Sequence, residues 1–153
     1  LRVHDSYRWL GEIHLRVLAA LGVDARLVSP EELRASAARR RETDVAWACF
    51  GSLAPWETVS ADGRKLSGFA QKRGRHGVLL VAGTLVTPPD WDMLARMLGE
   101  PQDAAALHRQ TVCASEIAGR PIDPARFARE LRSAVAAALV PTSERIAPGA
   151  ARA

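Results

Sequence analysis

Lys65 is the side chain whose type and setting offer the most chemistry. It follows Asp62-Gly63, a pair that makes tight hairpin turns, so its ammonium stands at a strand entrance beside Arg64. A lysine there suits a carboxylate, a thioester carbonyl or a phosphate, as a point charge with rotatable donors. The plain alternative is a solvated lysine after a turn. Cys49 lies in Trp47-Ala48-Cys49-Phe50-Gly51-Ser52, ahead of a loop containing Pro55. A thiolate at a loop edge near cationic side chains can attack an acyl thioester; a structural cysteine buried among aromatics is the competing reading. His76, before Gly77, offers a hydrogen bond or a base beside a basic turn. Cys113 reads as structural, and His4, His14 and His108 lack partner spacing and read as surface residues. No glycine-rich phosphate loop, HExxH or GxSxG motif is present.

Elements must hold these groups in place. Asp5 or Ser6 can cap a first helix whose stripe is Trp9, Leu10, Ile13, Val17, Leu18 and Leu21, with Gly22 as its stop. After an extended piece, Ala25 to Val28, Ser29-Pro30-Glu31-Glu32 opens a second helix that runs into Arg39-Arg40-Arg41, read as a loop. The period then changes. Val45 to Phe50 and Trp56 to Ser60 are β-forming, and Ala61-Asp62-Gly63 turns into a strand from Arg64 to Lys72. Strict alternation places Leu66, Gly68 and Ala70 on the helix-covered face and Lys65, Ser67, Phe69 and Gln71 on the other. Val78 to Val86 is apolar on both faces and reads as a central, doubly covered strand.

Helices return after Pro88-Pro89: Asp90 to Leu98, stopped by Gly99; Asp103 to Arg109; one capped by Thr111 toward Glu116; and one opened by Asp123-Pro124 and ended by Pro141. Met93 and Met97 read as core or interface filler. The order predicts an α+β fold, an antiparallel meander or mixed sheet with helices packed on it. Residues 1–140 are expected to form one domain, and 141–153 a flexible tail.

Composition narrows the classes. The chain has 153 residues, 48% hydrophobic and 25% charged, a globular mixture with one core. Its longest apolar run is far short of the roughly 20 residues that span a bilayer, so no membrane is expected. The net charge of +4 names no nucleic-acid partner by itself. Arg64, Lys65, Lys72, Arg73 and Arg75 do cluster without an acidic residue, which keeps a nucleotide- or nucleic-acid-binding module as a rival class. Two cysteines 64 positions apart make no disulfide framework or zinc site, so a reducing, cytoplasmic setting is expected. The sequence opens on Leu1 and reads as a fragment or processed product.

Three segments read together resemble the lipoate–protein ligase A and octanoyltransferase family, related to biotin–protein ligases: Cys49-Phe50-Gly51-Ser52 through Trp56-Glu57, Asp62-Gly63-Arg64-Lys65-Leu66-Ser67-Gly68-Phe69-Ala70-Gln71, and Arg73-Gly74-Arg75-His76-Gly77-Val78-Leu79-Leu80. The second is the most specific. The resemblance implies the class II biotin/lipoate ligase catalytic fold. It implies that Lys65 contacts the acyl carbonyl or acyl-adenylate, and that Gly68 allows close backbone approach. Gln71, His76 and Gly77 then belong to the acyl- or nucleotide-binding set, with no metal ligand. The family's upstream pair of arginines, glycine-rich turn and histidine are not found before His4, so a truncated product or a partner subunit carrying that motif is implied.

The resemblance also implies a mechanism. In the transferase branch, Cys49 would carry an octanoyl or lipoyl group as a thioester and pass it to a lysine of a lipoyl carrier domain, with an acyl carrier protein as donor and no cofactor. The ligase alternative would need ATP and magnesium. A non-catalytic relative that binds the acyl group or carrier is the third reading. With Lys65 taken as exposed, Lys65→Ala is expected to stop transfer and leave the fold intact.

Overall fold

The computed structural model describes residues 3–41 and 44–139. Six helices and four strands are found among them: α1 (Val3–Ala20), β1 (Arg26–Leu27), α2 (Pro30–Arg41), β2 (Thr58–Val59), β3 (Lys65–Gly74), β4 (Gly77–Thr84), α3 (Trp91–Met97), α4 (Ala104–Gln110), α5 (Ala114–Ile117) and α6 (Pro124–Leu139). The strands form one antiparallel sheet in the order β1-β2-β3-β4, so the α+β meander expected from the sequence is present. The segment 141–153 lies outside the described residues.

Local chemistry accounts for most boundaries. Ser29 accepts the Glu32 amide at 3.1 Å, and Asp90 accepts the Met93 amide at 2.8 Å, each satisfying an orphan donor of a first helical turn. Asp123 does the same for Ala125 and Arg126 at the start of α6. Gly22, Gly63 and Gly99 take positive φ at the predicted stops and turn.

Several expectations are corrected. Asp5 and Ser6 lie inside α1 rather than capping it, and Ser6 is buried, its hydroxyl receiving an Arg73 N–H. Arg39 to Arg41 continue α2, as arginine is a good helix former. Val45 to Phe50 is a compact turn rather than a strand, closed by Val45 N–H on Gly51 O and Gly51 N–H on Ala48 O. Thr111 opens no helix toward Glu116; it is the C-cap residue of α4, its amide on the Leu107 carbonyl. It bonds Trp91 Nε1 and the Leu107 carbonyl, while Cys113 stands before α5 in extended conformation. Met93 and Met97 are exposed, not core.

The largest correction concerns the sheet. β4 is an edge strand, not a central one, with Val78, Leu79 and Val81 roughly half exposed or more. Its partner β3 carries an irregularity at its start, where Val59 pairs with Lys65 but Thr58 pairs with Ser67. This bulge resets the alternation. Leu66 enters the main core beside Val17, Leu18, Val112 and Phe127, and Phe69, two residues beyond Ser67, packs on Tyr7 and His14 of α1. Gly68 and Ala70 therefore share the opposite face with Lys65, where regular alternation had put them toward the helices. A smaller cluster, Val45, Ala48, Trp91 and Leu107 with Trp47 and Phe50, covers the start of that face.

His14 is fully buried between the Phe69 and Phe127 rings, not at the surface. Its Nδ1 donates to the Leu10 carbonyl at 2.8 Å, while Nε2 has no partner. Burial holds its pKa below the ordinary 6.5, only partly opposed by the Leu10 bond. The unfolded chain therefore binds the extra proton first, and stability falls as pH drops below about 6.5 toward the lowered folded value. Melting curves between pH 7.5 and 5 should show this loss, and His14→Leu should flatten it. Leu66→Ala, emptying a site with no exposure, should cost about 3 kcal/mol and lower the melting temperature by roughly 6–12 °C.

Candidate functional site

The turn before β3 is fastened from both sides. Asp62 accepts from the Ser60 hydroxyl and from Arg64 Nε, which holds its carboxyl below the usual carboxylate range, the Ser60 bond contributing most. Arg64 also pairs with Glu116 at 2.7 Å, and that bond raises the guanidinium's proton affinity most. These contacts anchor β3 where Lys65 begins. They also take Arg64 out of the basic cluster, and Lys65 is buried, so no continuous cationic surface runs from Arg64 to Arg75.

Lys65 is 3% exposed. Its ammonium donates to the carbonyls of Cys49 at 2.9 Å and Ser52 at 2.8 Å, and pairs with Glu57 Oε2 at 2.8 Å. An ammonium has three N–H donors, and these three acceptors match them. The Phe50 ring lies 5.4 Å from the same nitrogen. The reading of Lys65 as an exposed side chain is thus overturned. Removing it would strand the Glu57 carboxylate, 2% exposed, in a low-dielectric site.

Glu57 is the residue that sequence reading passed over. Its Oε1 accepts the Phe69 amide at 3.0 Å, and its Oε2 also accepts the Ala54 amide at 2.8 Å. The available signal was a lone carboxylate inside the β-forming run Trp56 to Ser60, which must find a cation if buried.

Cys49 is exposed while its neighbours are not. Trp47 donates to Asp103 at 2.7 Å, Ala48 is buried, and Phe50 stacks at an angle on Trp91. The aromatics therefore pack inward and leave the thiol out, instead of burying it. Gly51 is required here, because a Cβ would stand 2.1 Å from the Val45 carbonyl oxygen. Cys113 is buried, as expected for a structural cysteine.

Gly68 serves the same cluster, since a Cβ on it would come within 3.0 Å of Lys65 Cε. Across the ladder it pairs with Gly83, where a Cβ would meet the Phe50 ring at 3.6 Å. Farther along, the Ala70–Val81 and Lys72–Leu79 pairs continue that face. The result is a sheet face whose two glycines lie under Lys65 and Phe50 and whose continuation, Val81 and Leu79, is exposed and apolar. A cleft of about 310 Å³ opens on the other side of the lysine, walled by Phe50, Ser52, Leu53, Arg64 and Arg109. The structure thus brings together Lys65, Gly68 and the Cys49 main chain. Gln71 lies on the α1 face, bonded by Arg73, and His76 and Gly77 sit at the far end of the hairpin. That end is roughly 30 Å along β3 from Lys65.

The profile of the family described as Lipoyl protein ligase A/B catalytic domain matches residues 1–136. Octanoyltransferase LipM of Kyrpidia tusciae is 32% identical across 96% of this chain and 53% of its own length. Octanoyltransferase LipM of Moorella thermoacetica is 32% identical across 72% of this chain and 42% of its own. No solved structure gives a significant match. The chain spans about half the length of the curated relatives it matches. Because that profile covers most of its length, the chain belongs to the lipoyl protein ligase A/B catalytic-domain family.

Proposed function

We propose that this chain carries the acyl-handling half of an octanoyl or lipoyl transfer site, with Cys49 as nucleophile. The observation that carries the reading is an exposed cysteine whose own main chain is gripped by a buried lysine, at one end of an exposed apolar sheet face. The likeness to two octanoyltransferases supports it. The Cys49 thiolate attacks the carbonyl of an octanoyl thioester on an acyl carrier protein. A new C–S bond forms, the donor C–S bond breaks, and the carrier thiol leaves with the proton. A lysine amine of a lipoyl carrier domain then attacks the Cys49 thioester, forming the amide and releasing the thiol.

The hydrocarbon lies along the exposed face of β4, past the Phe50 ring that covers Gly83, toward Val81 and Leu79. Gly83 to Leu79 is four strand steps of about 3.3 Å, about 13 Å in all, long enough for an extended eight-carbon chain. The positive charge of Lys65 stands at its carbonyl end. Transfer by this route uses no cofactor. The cleft beside Arg64 and Arg109 is where a nucleotide would sit if the chain instead used ATP and magnesium. The open edge and apolar face of β4 are where the remaining half of the site would add, on the same polypeptide or on a partner subunit. No helix among the described residues is long and apolar enough to cross a membrane, and two free thiols fit a cytoplasmic setting.

Intact-mass spectrometry of the protein at its full natural length, mixed with octanoyl-carrier protein, should show a hydroxylamine-sensitive octanoyl adduct. Cys49→Ser should abolish it. Carrier modification that instead requires added ATP and lipoate would establish the ligase chemistry, and neither reaction would leave a binding protein. Lys65→Ala should lose transfer and also about 3–5 kcal/mol of folding stability, measured by urea denaturation.

A further inference from the structure

The buried pair behind Cys49 has a direction. Lys65 meets two neutral carbonyls and one anion, and the anion is the fixed member. Each oxygen of Glu57 holds a backbone amide, one on β3 at Phe69 and one in the Cys49-to-Glu57 loop at Ala54. The residue before it, Trp56, is held at φ 70°, a left-handed conformation that costs a non-glycine residue energy. Surrounding bonds enforce it: Trp56 N–H on Val28 O at 2.9 Å, and Val28 N–H on Glu57 O at 3.0 Å. The chain is thus bent against its preference at the residue that precedes the inward-pointing carboxylate.

We infer that Glu57 is a positioning residue: it fixes the Lys65 ammonium, and through that ammonium it sets where the Cys49 main chain stands. The consequence for turnover rests on the proposed transfer reading; the geometric claim does not. Lys65 has no spare donor in this arrangement. An acyl carbonyl reaching it must displace the Cys49 or Ser52 carbonyl, because Glu57 carries the counter-charge and is itself tied twice. Acyl binding and the position of the Cys49 loop are therefore coupled through one nitrogen.

The test uses a reaction independent of octanoyl transfer. Iodoacetamide alkylates an exposed thiol, and Cys113 is 1% exposed, so it reports whether the fold is intact. In the folded chain, Glu57→Gln should change the Cys49 alkylation rate by about threefold or more, and Lys65→Met should change it comparably. The double variant should match Lys65→Met alone within about twofold, because a residue acting only through Lys65 has nothing left to act on. If Glu57→Gln exposes Cys113, the same cycle is run with Glu57→Asp, which keeps the charge and shortens the reach. A folded Glu57 variant with unchanged Cys49 reactivity, or effects that simply multiply in the double variant, would overturn the inference. In the full-length protein, Glu57→Gln should lower kcat about tenfold with KM for the octanoyl thioester held within about twofold. A loss confined to KM would count against it. Absence of the octanoyl adduct in the wild type, with the alkylation cycle as described, would remove the transfer reading and leave Glu57's role standing.

Discussion

One buried ammonium organises this half of the molecule. Charges leave water only at a cost that good geometry must offset, and Lys65 meets that condition with an anion and two carbonyls. The consequence is architectural. The loop from Val45 to Pro55 has no regular structure, and two of its carbonyls and one of its amides end on the Lys65–Glu57 pair. The aromatic side chains of the same loop are fixed separately, through Trp47 on Asp103 and Phe50 on Trp91. Polar and apolar anchors together leave Cys49 facing outward.

The bulge at the start of β3 is what makes this arrangement compatible with a core. Without the extra residue, Leu66 and Phe69 could not both face the α1 side. With it, the core receives both, and Lys65 shares its face with Gly68 and the Gly83 partner, where the space beside the glycines is taken by Lys65 and Phe50. A small irregularity in pairing thereby separates an apolar packing face from the face that holds the buried charge.

Much of this was legible in the sequence, because the signals were local. Asp62-Gly63 and the pair of glycines at 74 and 77 announced the two turns, and the capping residues Ser29, Asp90 and Asp123 announced three helix starts. Lys65 and Cys49 stood out by type and placement. What escaped depended on contacts between distant segments. The stretch from Arg64 to Lys72 shows no mark of a bulge, since the irregularity lies in its pairing with β2. The run of apolar residues in β4 looks like burial on both faces, yet strand order, which sequence period does not encode, leaves it at the edge. His14 looked unpartnered because its partners are rings 55 and 113 positions away. Glu57 looked ordinary because its cation lies in the next strand.

The edge position of β4 also governs how the chain behaves in company. Gly77 to Thr84 contains no lysine, no acidic residue and no proline. Those are the devices by which natural sheets discourage uninvited strands. Its outer backbone donors and acceptors are a ready template for intermolecular pairing, and the apolar side chains flanking them add a reason to stay paired. Solubility of these 153 residues at high concentration is therefore a property of one eight-residue strand, far more than of the net charge. A single charged residue in place of Val78, 46% exposed, outside the core clusters and on the face away from Val81, is the smallest change that addresses it.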